Sequence, residues 1–303
     1  TDELIMIVSV VIRTLNEQQH LGQLLSAICK QIRDGFEIEI VIIDSGSTDK
    51  TLSIAKSFNC KITHIKKSEF TFGRSLNMGS DFATGEILVY VSGHCIPESD
   101  SWLKMLIKPI LDGVAGYSYG RQIGYETTKY SERRLFEKYF PSQSKIPQKD
   151  FFCNNANAAI SRQVWLDHKF DEQVTGLEDM ELAKRFCYLG GQVAYVSEAA
   201  IHHIHNESWS QTRRRYEREA IALQLIMPEV HVGLMDTFRY LFASIFGDFA
   251  SAIKERCFFR ELFGIVKFRL AQYMGTYRGN HEHRALSKRR KENYFYPTKT
   301  LQD

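Results

Sequence analysis

Several short polar clusters interrupt the apolar runs of this sequence, and each holds residue types that can do chemistry. Arg13-Thr14-Leu15-Asn16-Glu17 follows one apolar run, where polar groups either hydrogen-bond a nucleobase or ribose or cap the next helix. Asp44 ends a second run, just before Ser45-Gly46-Ser47-Thr48-Asp49. Capping accounts for Thr48 or Asp49. It does not account for Asp44, a carboxylate placed where a buried strand opens, able to accept the imide N–H of uracil or thymine or a ribose hydroxyl. Glu178-Asp179 is a carboxylate pair at a helix start, suited to the helix dipole and equally to proton transfer. His94, after Ser92-Gly93, and the run His202-His203-Ile204-His205 supply imidazoles that can ligate a metal, contact phosphate or simply pack. Strand alternation puts His203 and His205 on one face.

The elements that must position these clusters alternate between strand and helix. Ile5–Ile12, Glu39–Ile43 and Ile87–Val91 are largely apolar, β-branched runs, the pattern of parallel strands buried on both faces, and Lys61–Ile65 reads as a short strand. Between them, Leu21, Leu24, Leu25, Ile28 and Ile32 follow helical spacing, Thr51–Phe58 reads as helix, and a further helix closes at Phe82–Gly85. Pro97-Glu98-Ser99 reads as another helix start. Such alternation predicts an α/β fold with a mainly parallel central sheet, and ligands then bind at the carboxyl ends of its strands. The loops after Ile12, Ile43 and Val91 are therefore where a site is expected. No Gly-x-Gly-x-x-Gly follows the first strand and no Gly-x-x-x-x-Gly-Lys-Ser/Thr occurs, which excludes a dinucleotide-binding dehydrogenase and a P-loop enzyme.

Four ordered segments carry a resemblance to a known family. Ser9–Glu17 (SVVIRTLNE), Val41–Asp49 (VIIDSGSTD), Phe72–Gly79 (FGRSLNMG) with Ala83–Ile87 (ATGEI), and Gly176–Ala183 (GLEDMELA) followed by Arg185 resemble the motifs of the family 2 glycosyltransferases over roughly residues 5–206. The resemblance implies a GT-A-type nucleotide-binding domain over residues 1–206, followed by a helical C-terminal region over 207–303. It implies transfer of a sugar from a nucleotide-sugar donor, UDP- or dTDP-linked, to a glycan or lipid-linked acceptor in surface polysaccharide synthesis, with inversion. Thr14, Glu17 and Asp44 would hold the nucleoside, and Arg74, with Asn77, would face the donor. His203 or His205 would stand near the diphosphate. Asp179 would be the general base, with Glu178 beside it as acceptor binder or support. Asn155, in the polar loop Cys153–Ala158, can hydrogen-bond sugar hydroxyls or serve the turn. Trp209, after the histidines, is a candidate sugar platform, whereas Trp102 and Trp165 fall at helical positions and read as core.

The sequence departs from the family at one place. The usual Asp-x-Asp after the fourth strand, which binds a divalent cation, is replaced by Ser92-Gly93-His94. Hard Mg²⁺ prefers oxygen ligands, whereas imidazole suits Mn²⁺ and softer metals. A metal, if used, would sit on His94 with His203; otherwise cationic side chains must meet the phosphate charge. The expectation is weak or absent dependence on Mn²⁺ or Mg²⁺.

Composition bounds the rest. The chain has 303 residues, 44% hydrophobic and 25% charged, as in globular proteins. Its six cysteines form no Cys-x-x-Cys pair and read as free thiols of a reducing compartment. With neither a signal peptide nor a run long enough to span a bilayer, the expectation is a cytoplasmic protein, working at the inner face of the membrane on a lipid-linked acceptor. The net charge of +3 is unevenly spread: residues 1–206 carry 22 Lys+Arg against 25 Asp+Glu, and residues 207–303 carry 17 against 11. That basic, Phe- and Arg-rich segment reads as a helical subdomain, a homodimer interface or a membrane-surface element. Arg284 and Lys288–Lys291 form a solvated charge run. No nucleic-acid module appears. The competing functions are a nucleotidyltransferase, which lacks its glycine-rich loop here, and a non-catalytic nucleotide-sugar or membrane-binding protein.

Overall fold

A computed structural model describes residues 5–281 and 294–295; Arg284 and the Lys288–Lys291 run lie outside the described residues. The chain opens with strand β1 (Met6–Thr14), helix α1 (Leu21–Cys29), β2 (Phe36–Asp44), α2 (Thr51–Ser57), β3 (Lys61–His64), α3 (Phe72–Phe82) and β4 (Ile87–Ser92). It continues through β5 (Cys95–Pro97), α4 (Trp102–Leu111), β6 (Tyr117–Gly124), α5 (Tyr130–Tyr139), β7 (Asn157–Ser161), α6 (Arg162–His168), α7 (Glu178–Tyr188) and β8 (Val193–His203). Three long helices follow: α8 (Trp209–Ile226), α9 (Leu234–Lys254) and α10 (Phe258–Asn280).

The eight strands form one sheet in the order β3-β2-β1-β4-β7-β6-β8-β5. The first half is parallel, as the apolar runs predict, with Val8, Val10, Val11, Ile12, Val41, Ile42, Leu88 and Val89 fully or almost fully buried. The second half is mixed. Strand β7 runs antiparallel to β4 and β6, β5 runs antiparallel to β8, and β6 and β8 are parallel. The register sets Thr14 opposite Asp44, and Arg13 opposite both Ile43 and Ser92, so the carboxyl ends of β1, β2 and β4 finish side by side.

Three local expectations are corrected. Pro97 ends a strand and the next helix begins only at Trp102, because Pro97 pairs with Ile201 at the sheet edge. Helix α1 stops at Cys29 rather than reaching Ile32. The polar loop ends at Asn157, which opens β7, a strand placed ahead of α6.

The chain divides into two compact units. The first comprises the described residues up to Tyr125, with Phe140–Gln173 and Glu178–Ile204, and contains the whole sheet. Its core includes Trp102 and Trp165, both fully buried. Asn157, also fully buried, accepts the Trp102 indole N–H at 2.9 Å and donates to the carbonyls of Arg121 and Ala199 at 3.1 and 2.8 Å.

The second unit comprises Glu126–Tyr139, Val174–Leu177 and the described residues from His205 onward. Helices α8 and α10 cross closely because Gly275 and Gly279 carry no side chain: a Cβ at either would lie 2.3 Å from the Arg213 carbonyl or 2.2 Å from that of Glu217. Helices α9 and α10 are joined by a buried ion pair in which Arg269 Nε and Nη2 donate to the Asp248 carboxylate at 2.8 and 3.0 Å. Both charges are bonded twice, which is what makes burying them tolerable.

Candidate active site

The loops after β1 and β2 are fastened to each other by side chains. Asn16, at φ 57° in the left-handed region that asparagine tolerates, accepts the Thr48 backbone N–H through Oδ1 at 2.9 Å, and its own N–H donates to Ser47 Oγ at 2.9 Å. Gln18 and Asp49 repeat the exchange one step along, and Asp49 also caps α2 by accepting the Thr51 N–H. Asp44 is 1% exposed. Its carboxylate accepts the N–H groups of Gly46 and Ser47 at 2.9 Å each, the Ser47 hydroxyl at 2.5 Å and the Thr14 hydroxyl at 3.2 Å. Thr14 and Asp44 thus meet at the strand ends, and both are already spent on shaping the turn.

Glu17 points the other way, toward the end of β4. Its Oε1 stands 2.9 Å from His94 Nδ1. This approach needs Gly93, since a Cβ there would sit 2.9 Å from Glu17 Cγ. The His94 ring stacks on His203, with centroids 5.2 Å apart and planes 22° from parallel, and ligating nitrogens of the two lie within 4.8 Å. His203 Nδ1 is 2.7 Å from Gln122 Oε1, and the Gln122 amide in turn donates to Asn154 Oδ1 at 2.9 Å. An amide oxygen and a carboxylate accept, so each Nδ1 is the donor of its bond. Bonding of Nδ1–H to an acceptor is the arrangement that orients metal-ligating histidines. Gln122 is a site residue the sequence did not reveal, because nothing in Arg121-Gln122-Ile123 marks it locally.

Strand β8 ends at His203. His205 belongs to the second unit. There its Nδ1 is 2.7 Å from Glu132 Oε1, which also accepts from Arg215 at 2.5 Å. Burial opposes ionisation of Glu132, but the bonds from His205 and Arg215 overcome it and hold the carboxyl down at about 2. Trp209 is not in a loop; it is the first residue of α8, half-exposed, with the Lys129 ammonium 5.2 Å from its ring centroid.

The carboxylate pair opens α7, after Leu177 at φ 56°. Asp179 is buried, and its two oxygens accept the N–H groups of Met180 and Asn155, each at 2.8 Å. Burial, then the neighbouring Glu178 charge, push its carboxyl up to about 7, against the pull of those two bonds and of Arg13. Glu178 is also buried, and its Oε1 takes the Arg13 guanidinium at 3.2 Å. Arg13 in turn lies over the Phe72 ring at 4.9 Å. Asn155 accepts the Tyr117 hydroxyl at 2.6 Å, while its buried Nδ2 has no hydrogen-bond partner. A carboxyl poised near neutrality beside an unspent amide donor can take a proton from a hydroxyl group.

Arg74, expected on the donor side, is in α3 and is engaged elsewhere. It donates to Glu172 Oε2 at 2.7 Å and to the Glu69 carbonyl at 3.0 Å. Asn77 is a buried strut of the same helix, bonded to Phe170, Glu172 and the Trp165 indole.

The family model described as glycosyl transferase family 2 matches residues 9–167. The O-antigen chain rhamnosyltransferase RfbN of Salmonella typhimurium is 25% identical over 70% of this chain and 70% of its own length. The O-antigen chain rhamnosyltransferase WbaN of Salmonella anatum is 30% identical over 59% of this chain and 60% of its own. Among solved structures, the mannosyltransferase PcManGT of Pyrobaculum calidifontis, in complex with GDP-Man and Mn²⁺, superposes with a TM-score of 0.61, covering 90% of this chain and 85% of that one at 17% identity. The Staphylococcus aureus TarS 1–349 structure with UDP gives 0.52, covering 92% and 93% at 16% identity. At such identities these likenesses speak to the fold.

Proposed function

Because this chain belongs to glycosyl transferase family 2, we propose that it is an inverting transferase that moves a deoxyhexose of the rhamnose class from a UDP- or dTDP-linked donor to a hydroxyl of a surface polysaccharide or its lipid-linked precursor. The rhamnose class is supported by the two O-antigen chain rhamnosyltransferases. The observation that carries the reaction type is Asp179, a buried carboxyl held near neutrality at the start of α7.

In the proposed reaction the acceptor oxygen attacks the anomeric carbon and its proton passes to the Asp179 carboxylate. The bond from that carbon to the diphosphate oxygen breaks, and the nucleoside diphosphate departs. Asn155 Nδ2 offers a donor to the acceptor, and Glu178, held by Arg13, keeps the base environment polar. Thr14, Asp44 and Ser47 shape the nucleoside pocket through the turn they build, with Glu17 alongside.

The pair His94 and His203 fits a divalent ion of borderline softness, because both rings are turned by Nδ1 acceptors. Such an ion, when bound, supplies positive charge for the leaving diphosphate. The decisive experiment incubates the protein with a panel of nucleotide sugars and an acceptor glycan, and assays the released phosphates. Nucleoside diphosphate appearing only with acceptor present supports this reading. Sugar 1-phosphate in place of nucleoside diphosphate would indicate a nucleotidyltransferase, and no release from any donor would indicate a binding protein.

A further inference from the structure

Helix α9 is apolar on both sides. Its inward positions Thr237, Leu241, Ile245, Asp248 and Ala252 are buried, as an amphipathic helix requires. Its outward positions Met235, Phe238, Phe242, Phe246 and Ile253 repeat at helical spacing and are exposed, Met235 to 80% and Phe246 to 64%. Helix α10 runs back alongside, as the bonds Val232–Asn280, Ser244–Tyr273 and Asp248–Arg269 show. It exposes Phe259 to 88% and Phe263 to 74%. The rings are in continuous contact: Phe238 stacks on Phe242 and Phe242 on Phe246 at 6.5 Å, and Phe246, Phe249, Phe258 and Phe259 follow edge to face. Exposed apolar surface of this extent marks an interaction face.

The charges around the rings choose the occupant. Arg239, Lys254, Arg260 and Lys267 are exposed on the same two helices and Arg256 in the turn between them, against the exposed Glu255 in that turn and Glu261, which pairs with Arg260. Aromatic rings interleaved with exposed cations are the composition of an element lying in the headgroup region of an anionic bilayer. A second copy of this chain is the poorer fit, because a two-fold interface sets a patch against itself and would oppose these cations to their own kind. No helix among the described residues is long and apolar enough to cross a membrane. We infer that the outward face of α9 and α10 docks on an anionic lipid surface, its phenylalanines entering the interface and its cations meeting the headgroups. This holds independently of the sugar transferred.

The test is flotation of the full chain with vesicles of phosphatidylcholine alone or containing phosphatidylglycerol, without donor or acceptor. Binding is expected to the phosphatidylglycerol vesicles and to weaken with added salt as screening shortens the reach of the charges. Phe242→Ser with Phe246→Ser, both exposed and so expected to leave the unfolding temperature unchanged, should reduce partitioning about tenfold or more. Phe246→Trp should shift its fluorescence to the blue on adding vesicles. Failure of the wild type to float with either vesicle, or unchanged partitioning of the double variant, overturns the inference. So does a wild-type dimer in sedimentation equilibrium that the double variant dissolves, since the face would then belong to a second copy.

Discussion

Arg13 Nη1 stands 3.2 Å from Glu178 Oε1, joining the end of the first strand to the residue before the proposed base. Three charges thereby share one buried corner. Arg13 draws the Asp179 carboxyl toward ionisation, and Glu178 pushes the other way. Tyr117 and Cys153, both buried, face the same carboxylate.

Asp179→Asn should abolish transfer while leaving donor binding intact, since loss of a general base typically lowers the rate by about 10²–10⁴. The stability of the same variant relative to the wild type should rise between pH 5 and pH 8. The native carboxyl is raised from 3.8 to about 7, so protonation favours the folded state. The contribution is complete below the unfolded value and is lost as pH rises through about 7. Above about pH 7 the wild type carries an ionisation penalty that asparagine lacks, while the asparagine amide sets its NH2 against a backbone N–H that Asp179 accepts. Thermal unfolding at pH 5 and pH 8 checks this: the difference should move in the variant's favour at pH 8, and the same difference at both pH values would place the carboxyl elsewhere.

Arg13→Met and Glu178→Gln should move the acid limb of the rate profile in opposite directions. For the wild type, transfer should rise between pH 6 and pH 8 as Asp179 ionises. Removing the Arg13 charge leaves Glu178 unopposed, so the limb moves to higher pH; removing the Glu178 charge moves it lower. The profile of kcat separates this from a merely structural loss, which would depress the plateau without moving the limb.

Much of the fold was legible in the sequence, and the reason is specific. Strands β1, β2 and β4 are buried on both faces, so Val8–Ile12, Val41–Ile43 and Ile87–Val91 are apolar except for Ser9, bonded to Glu39, and the Tyr90 hydroxyl, bonded to Ser80. Strand β6 (Tyr-Ser-Tyr-Gly-Arg-Gln-Ile-Gly) gave no such signal, since its side chains are used for hydrogen bonds: the Tyr117 hydroxyl on Asn155, Ser118 on the Leu106 carbonyl and Gln122 on Asn154. The motif residues of the site could be named one cluster at a time. What joins them could not: Arg13 reaches Glu178 across 165 positions and His203 reaches Gln122 across 81. Arg74 shows the converse, since its local sequence carries no trace of Glu172, 98 positions away.

Asn157 tests where the Asn-rich loop stops serving a ligand and starts serving the core. With Trp102, Arg121 and Ala199 all bonded to its amide, Asn157→Leu should leave several buried groups unsatisfied, at about 1–3 kcal/mol each. Urea unfolding should show a large loss of stability, whereas Asn155→Ala should chiefly raise the KM for acceptor. A stable Asn157→Leu enzyme with only acceptor binding impaired would reverse these assignments.

The last prediction concerns the metal. Ser92-Gly93-His94 at the end of β4 offers no carboxylate, so affinity for Mg²⁺ should be low. The stacked His94 and His203, each with its Nδ1 proton taken by Glu17 or Gln122, present nitrogen ligands whose preference runs to Mn²⁺ and softer ions. After exhaustive chelation, restored Mn²⁺ should therefore raise the transfer rate more than restored Mg²⁺. Glu17→Gln should weaken the Mn²⁺ effect about 10–100-fold, as loss of an orienting partner does, and His94→Ala should remove it. Calorimetric titration of the protein with Mn²⁺ alone gives a second readout that needs no turnover. An absolute requirement for Mg²⁺ that survives His94→Ala would move the cation away from the histidines altogether.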